Sequence, residues 1–139
     1  EVRSATLGDA PAVAAIYAHH VQHGTASFDT VPPTVQDWEA KISAILAKGW
    51  PFLVADASGV VAGYAYASQF RDRPAYSHTC EDSIYVAHEA RGQGIGNVLL
   101  LALIPNPLIG RLAFIGCGAL VVGVGTLLLF TARRTGNPS

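Results

Sequence analysis

The sequence predicts an α/β fold of the α+β type, with helices packed on one central sheet, and three observations lead to this prediction. Runs with strand and helix periodicity follow one another in the order β–α, α, β–β–β, α over the first 104 residues. The chain has 139 residues, enough for one domain with a sizeable core and too few for two. No internal repeat or low-complexity linker divides it.

The first predicted elements are a short strand near Val2 and a helix that follows it. Thr6 and Asp9 have the spacing of a capping box, and Pro11 lies in the expected first turn. One apolar face of this helix is formed by Val13, Ile16, Tyr17 and Val21.

A second helix is predicted in PPTVQDWEAKISAILAKGW. Thr34 is the expected N-cap, Asp37 follows three residues later, and Gly49 is the expected stop. The apolar stripe of this helix comprises Trp38, Ile42, Ile45 and Leu46.

Two strand-like runs come next, PFLVAD and VVAGYAYASQF, joined by a turn at DASG. After a polar loop, CEDSIYVA predicts a strand with two different faces. One face carries Glu81, Ser83 and Tyr85, and the other carries Asp82, Ile84 and Val86. The last helix, in NVLLLALI, must end or kink before Pro105.

Charge is distributed unevenly along the chain. All ten acidic residues lie between Glu1 and Glu89, and the formal net charge is −1. The chain therefore has no basic patch that would favour nucleic acid, and we expect no such partner. After Arg91 the only charged side chains are Arg111, Arg133 and Arg134, so a mixed-charge portion is followed by a nearly uncharged tail.

The residue types that bind metals are sparse. Cys80 and Cys117 are isolated and match no zinc or CxxC spacing, which indicates a reduced, cytoplasmic chain. His19 and His23 lie four residues apart and could in principle share a metal. Because no third ligand is placed nearby, we interpret them as helix-end histidines and expect no metal site.

The loop RGQGIG, from Arg91 to Gly96, has the features of an anion site. Glycines let backbone N–H groups approach an anion, and the helix that follows contributes the positive end of its dipole. Arg91 adds a full charge, so the loop suits a pyrophosphate. It lacks both the Lys-Ser/Thr of a Walker A loop and the GxGxxG of a Rossmann fingerprint, and an ordinary glycine-rich turn is the alternative.

The pattern R-x-x-G-x-G after such a strand resembles the acyl-CoA-binding motif of the GNAT acetyltransferases. Three segments are similar to the phosphinothricin and methionine-sulfone N-acetyltransferase branch of that family: AAIYAHHVQHGTASFDTVPPT, GYAYASQFRDRPAYSHTCEDSIYV and HEARGQGIGNVLL. The similarity covers Val2 to about Ile104. It implies a central mixed sheet flanked by helices, with a C-terminal part that is atypical or truncated, and a homodimer if the fold is complete.

The resemblance also implies an activity. Acetyl would pass directly from acetyl-CoA to the primary amine of a small amino-acid analogue of the phosphinothricin, methionine sulfone or sulfoximine type. Glu81 would be the general base that deprotonates the amine. Arg71 and Arg73 would neutralise the acceptor's anionic groups, with Tyr76 and Phe28 lining the same pocket, Phe28 from this chain or from a partner subunit.

The cofactor contacts implied by the resemblance follow the same strand and loop. Backbone groups of Ile84, Tyr85 and Val86 would pair with the pantetheine arm of acetyl-CoA. The pyrophosphate would be held by Arg91 and by the amides of Gly92, Gln93, Gly94, Ile95 and Gly96.

Some of these residues also have alternative, purely structural interpretations. Glu81 and Asp82 could form a solvated strand edge, and the RDR segment could be an exposed turn. Cys80 lies beside Glu81, and we interpret it as a small buried residue and not as a nucleophile.

The tail after Ile104 does not resemble the family. We therefore divide the chain into 1–104, the N-terminal portion of an acetyltransferase domain, and 105–139, an apolar tail. Three interpretations of the tail stay open: a membrane span over 112–132, strands that replace the family's own, or the product of a frameshift or fusion. The alternative function is accordingly an inactive, truncated or chimeric relative, tethered to a membrane through 112–132.

Overall fold

The computed structural model describes residues 1–23, 29–69, 79–104 and 113–116. Within these ranges one five-stranded sheet runs in the order β1-β2-β3-β4-β5. Its strands are β1 Val2–Ser4, β2 Phe52–Ala57, β3 Val60–Gln69, β4 Thr79–Val86 and β5 Ala113–Gly116. The helices are α1 Ala10–His23, α2 Val35–Ala47 and α3 Ile95–Leu103. Neighbouring strands are antiparallel from β1 to β4, and β5 is parallel to β4, so the predicted mixed sheet with flanking helices is confirmed.

The entry into α1 is stabilised as the capping-box spacing predicted. Asp9 Oδ2 accepts hydrogen bonds from the backbone N–H and the hydroxyl of Thr6, at 2.8 and 3.0 Å. Arg3 donates from both guanidinium arms to the same carboxylate, at 2.9 and 2.8 Å. The Arg3 hydrogen bond is the largest of the effects that lower the pKa of Asp9 to about 2. The charged carboxylate therefore links β1 to the start of α1.

The predicted bounds of α2 are also confirmed, with one error in its buried stripe. Thr34 and Asp37 make the reciprocal capping bonds, and the chain leaves the helix at Gly49, whose φ is +78°. Trp38, Ile42 and Ile45 are buried. Leu46 was predicted to join them but is 37% exposed, since it falls at the edge of the contacting face.

The core lies on both faces of the sheet. Under α1 and α2, four aromatic rings of neighbouring strands stack with centroids 5.1 to 5.8 Å apart. These rings belong to Phe52, Tyr64, Tyr66 and Tyr85. Under α3 the buried residues are smaller, and they include Ala55, Ala65, Ala67, Cys80, Leu99 and Leu103. The predicted burial of Cys80 is therefore confirmed.

Gly63 allows α3 to lie unusually close to the sheet. A Cβ added at this position would lie 2.9 Å from the carbonyl oxygen of Tyr85 and 3.1 Å from Cγ2 of Ile95. Such a contact is far inside van der Waals separation. The start of α3 is therefore held directly over β3 and β4, and the helix ends before Pro105 as predicted.

Part of the apolar tail joins the sheet. Ala113–Gly116 pair in parallel with Thr79–Asp82, so these four residues of the tail form the last described strand of the sheet. None of the helices in the described ranges combines the length and apolar character needed to cross a bilayer. The remainder of the proposed span over 112–132 lies outside the described residues.

Candidate functional site

The two faces of β4 separate the acidic residues of the site. Glu81 is opposite Ser68, and Tyr85 is opposite Tyr64, so Glu81 lies on the face that packs under α1 and α2. Asp82 and Ile84 lie on the α3 face. Glu81 is partly exposed, as a residue that meets a substrate must be. The predicted alternation along this strand is confirmed.

The backbone of β4 presents an uncovered edge over its last residues. Ala87 N–H donates to the carbonyl of Ala62 at 2.9 Å, which makes this a hydrogen-bonded pair of the ladder. By the alternation of an antiparallel ladder, Tyr85 exchanges backbone bonds with Tyr64, and the backbone groups of Ile84 and Val86 point away from β3. Because β5 pairs only as far as Asp82, no described strand covers this outer edge from Ser83 to Val86.

The glycine loop continues from this edge to the start of α3. Gly92 and Gly94 have φ of +76° and +79°, and Gly94 is the N-cap of the helix. A Cβ added at either glycine would meet nothing within 4 Å among the described atoms, so the outer side of the loop is open. The N–H groups of the first helical turn have no acceptor within the helix. Together with the helix dipole, this loop has the geometry of an anion site.

Arg91 opens the loop, and its guanidinium lies beside α1. Arg91 Nη2 is 3.5 Å from Nδ1 of His20, and the other ring nitrogen, Nε2, is 2.9 Å from the carbonyl oxygen of Val86. The sequence alone did not predict a role for His20 in this site. Its contacts are with residues 66 and 71 positions away, which no local pattern reports.

Asp82 is fully buried, so the interpretation of this residue as part of a solvated edge was wrong. Neither of its carboxylate oxygens has a hydrogen-bond partner among the described residues. Burial raises the pKa of Asp82 to about 6; its own backbone N–H opposes this rise in part, and the charge of Glu81 adds a smaller increase. Burial and the nearby Asp82 carboxylate raise the pKa of Cys80 to about 11. A thiol in that state is a poor nucleophile at neutral pH.

A cation that the sequence did not reveal stands on the same face as Glu81. Lys41 Nζ donates to the phenol oxygen of Tyr66 at 2.7 Å and lies 4.5 Å from the centre of that ring. It is also 4.8 Å from the centre of the Trp38 ring. Tyr66 is opposite Ser83, two residues from Glu81 on β4, so this fixed positive charge belongs to the Glu81 side of the sheet.

The predicted acceptor-pocket residues lie outside the described residues: Phe28, Arg71, Arg73 and Tyr76.

No group of three or more metal-ligating side chains forms within the part of the chain that the structure describes. The His19 and His23 rings stack at 4.6 Å, and the His88 ring lies 4.9 Å from His19. Loss of hydration, followed by the neighbouring imidazoles of His23 and His88, lowers the pKa of His19.

Comparison with known proteins agrees with this geometry. The model of the Acetyltransferase (GNAT) family matches residues 14–119, which is more than half of the chain. The chain belongs to the GNAT acetyltransferase family. The match includes β4, the glycine loop and α3, and it extends beyond Ile104 through β5.

Among curated relatives, this GNAT chain is 52% identical over 103 residues to a phosphinothricin N-acetyltransferase of Alcaligenes faecalis. It is 38% identical over 104 residues to an L-methionine sulfoximine/L-methionine sulfone acetyltransferase of Pseudomonas aeruginosa. Each alignment covers 74% of this chain, but only 52% and 60% of the respective relatives. The chain thus spans little more than half the length of the curated relatives it matches.

The GNAT chain is also similar to solved structures. A phosphinothricin acetyltransferase from Sinorhizobium meliloti, solved in complex with acetyl-CoA, superposes with a TM-score of 0.76 at 36% identity. The superposition covers 98% of this chain and 73% of that protein.

Proposed function

We propose that this chain is an acetyl-CoA-dependent N-acetyltransferase that acts on the primary amine of a small amino-acid analogue of the phosphinothricin, methionine sulfone or sulfoximine type. The observation that carries the proposal is the organisation of β4. Glu81 lies near the start of this strand, and at the end of the strand the outer backbone edge is covered by no described strand. That edge leads into the glycine loop, which has the geometry of an anion site. The activities named for the relatives support the acceptor class.

The cofactor would extend along β4 and end at α3. The outward-facing backbone groups of Ile84 and Val86 would pair with the amides of the pantetheine arm. The backbone groups of Tyr85 point the other way and hydrogen-bond to β3. The amides from Gly92 to Gly96 would hold the pyrophosphate, with the charge of Arg91 beside it. Geometry and charge both favour a ligand that has an extended amide arm and a diphosphate.

The reaction would need one base and one good leaving group. An amine is mostly protonated near pH 7 and cannot attack until it loses a proton, which Glu81 would accept directly or through a water. The amine nitrogen then forms a bond to the thioester carbonyl carbon and the C–S bond breaks. The second proton that this nitrogen loses passes to the departing sulfur, so coenzyme A leaves as the thiol, and the first proton returns from Glu81 to solvent. The burial and raised pKa of Cys80, on the opposite face of β4 from Glu81, favour direct transfer over an acetyl-cysteine intermediate.

The acceptor pocket would lie on the Glu81 side of the sheet. Arg71, Arg73, Tyr76 and Phe28 remain predictions for this pocket, as does a partner subunit that supplies Phe28. A homodimer, a cytoplasmic location and membrane association through 112–132 also remain predictions.

The experiment that tests the proposal measures coenzyme A release from acetyl-CoA with methionine sulfone or phosphinothricin as acceptor. We expect acceptor-dependent release by the wild-type chain, and a loss of roughly 100-fold or more in kcat for Glu81→Gln. The affinity for acetyl-CoA should be nearly unchanged, because Glu81 is distant along β4 from the loop. Glu39→Gln, at an exposed position of α2, is the matched control and should retain full activity.

Two results would count against the proposal in different ways. Full activity of Glu81→Gln would remove the assigned base. Binding of acetyl-CoA without transfer to either acceptor would support the alternative of a catalytically inactive relative.

A further inference from the structure

His20 connects three parts of the candidate cofactor site. It lies in the last turn of α1, its ring packs edge-on against Tyr85 with centroids 5.4 Å apart, and its two nitrogens meet Val86 and Arg91. Val86 supplies the carbonyl at the end of the uncovered β4 edge, and Arg91 is the first residue of the glycine loop.

The contact with Val86 determines the tautomer of the imidazole. A carbonyl oxygen can only accept, so Nε2 at 2.9 Å must carry the hydrogen. In a neutral ring Nδ1 is then a bare acceptor, and it faces the Arg91 guanidinium, which can only donate. If Nδ1 carried the hydrogen instead, its N–H would point at an N–H of Arg91, and neither group could accept. The surroundings therefore select one neutral form.

The direction of the contact leaves the carbonyl available to a ligand. His20 approaches Val86 from the α1 face, whereas the outer edge of β4 opens in the plane of the sheet. A carbonyl oxygen has two lone pairs. One can accept from His20 while the other accepts from a pantetheine amide.

We propose that His20, as the neutral Nε2–H tautomer, is a positioning residue that orients the Val86 carbonyl and the Arg91 guanidinium for acetyl-CoA. This inference rests on the proposed acetyl-CoA site. It assigns no contact between His20 and the reacting atoms, so its effect falls on cofactor affinity and not on the chemical step.

His19 is the matched control on the same turn of the same helix. Its ring contacts the imidazoles of His23 and His88 and lies edge-on to His20, with centroids 6.1 Å apart. Within the described residues, the hydrogen bonds to Val86 and Arg91 come from His20 and not from His19. Substitution of either histidine by leucine removes an imidazole from the end of α1 without breaking the helix. The difference between the two variants therefore isolates the contacts of His20.

The first measurement is the dissociation constant of acetyl-CoA, by calorimetry on the full chain. We expect His20→Leu to raise this dissociation constant roughly 5- to 20-fold, the range for the net loss of one or two ordinary hydrogen bonds. His19→Leu should change it less than twofold. His20→Gln, which can still donate from its amide nitrogen and accept at its amide oxygen, should recover most of the affinity.

A double-mutant cycle distinguishes positioning from general damage to α1. If His20 acts partly through Arg91, the penalty of His20→Leu must shrink when Arg91 is already Ala. In the Arg91→Ala background, His20→Leu should raise the dissociation constant of acetyl-CoA only about twofold. This remaining effect is the part that acts through Val86. Equal penalties in both backgrounds would overturn the assigned link to Arg91.

The tautomer is tested independently of ligand and activity. Long-range ¹H–¹⁵N correlation spectra of the wild-type chain, with the His20 signals assigned by His20→Gln, should show a protonated Nε2 and a bare Nδ1. A protonated Nδ1 in the neutral ring would overturn the inference.

A wild-type chain that does not bind acetyl-CoA would refute the proposed site together with the role of His20. Wild-type binding that His20→Leu leaves unchanged would refute the role of His20 alone.

Discussion

Asp82 places a carboxylate on the α3 face of the sheet, where the described residues around it are mostly apolar. Ala67 is directly opposite on β3, and Cys80 and Ile84 precede and follow it on the same face of β4. The carboxylate is fully buried, and neither oxygen has a partner among the described residues. Its pKa of about 6 is above the value of about 3.9 expected for an unfolded chain. The folded state therefore binds this proton more tightly than the unfolded state.

The pH dependence of stability follows from that difference. The wild-type chain should lose stability as pH rises from about 4 through 6, by up to about 3 kcal/mol, because a buried charge replaces a neutral acid. Asp82→Asn cannot ionise, so it should be more stable than wild type at pH 8, with the advantage gone at pH 4. Urea unfolding at both pH values measures this, with the exposed Glu39→Gln as a control. An Asn variant whose difference from wild type is the same at both pH values would contradict the prediction.

At the scale of elements, the close contact of α3 with β3 decides where the glycine loop lies. Gly63 leaves no room for a side chain, because an added Cβ would meet the Tyr85 backbone at 2.9 Å and the Ile95 side chain at 3.1 Å. The backbone atom belongs to a paired strand and cannot give way without loss of hydrogen bonds. The position of α3 is therefore set by a residue that has no side chain.

Gly63→Ala should both destabilise the protein and weaken cofactor binding. We expect a loss of about 1–3 kcal/mol in the free energy of unfolding, because the helix must move outward or the strands must part. The shifted loop should raise the dissociation constant of acetyl-CoA severalfold. Gly8→Ala is the control, since its added Cβ would have its nearest contact at an ordinary 3.6 Å. Retained stability in Gly63→Ala would show that α3 adjusts without cost.

The elements themselves could be predicted because their signals are local. The capping pairs Thr6–Asp9 and Thr34–Asp37 act over three residues, and the two-residue period of β4 is visible in its own sequence. The burial of Asp82 and the contacts of His20 depend on elements far away along the chain, so no local pattern contains them. In the same way, the sequence alone marks Gly63 only as a poor strand former. The need for a residue without a side chain there becomes visible only once α3 is placed over the strand.

At the scale of the whole molecule, the described strands pair β4 unevenly on its two sides. β3 pairs with it from Cys80 to Val86, whereas β5 covers only Thr79–Asp82. The tail therefore contributes a strand to the half of β4 that carries Glu81, whose partner on β5 is Ile115. If the sheet depends on this strand, the tail belongs to the folded domain.

Ile115→Pro tests the contribution of the tail. The alternation along β4 turns the Cys80 carbonyl toward β5, where the Ile115 N–H is its donor in a parallel ladder. Proline removes that donor, so we expect a loss of about 2–3 kcal/mol and a fall in activity through displacement of Glu81. Ile115→Val keeps the donor and the strand preference, and should change neither quantity appreciably. Chemical unfolding and coenzyme A release measure the two effects. An unaffected Pro variant would favour a tail that takes no part in the fold.

The outer edge of β4, which no described strand covers from Ser83 to Val86, would have a consequence for the protein when acetyl-CoA is scarce. If this edge binds the amides of pantetheine as proposed, it offers the same donors and acceptors to any extended peptide, including the edge of another copy. Acetyl-CoA would then protect the solubility of the protein as well as serve as its substrate. Preparations stripped of acetyl-CoA should aggregate faster on storage than those kept with it.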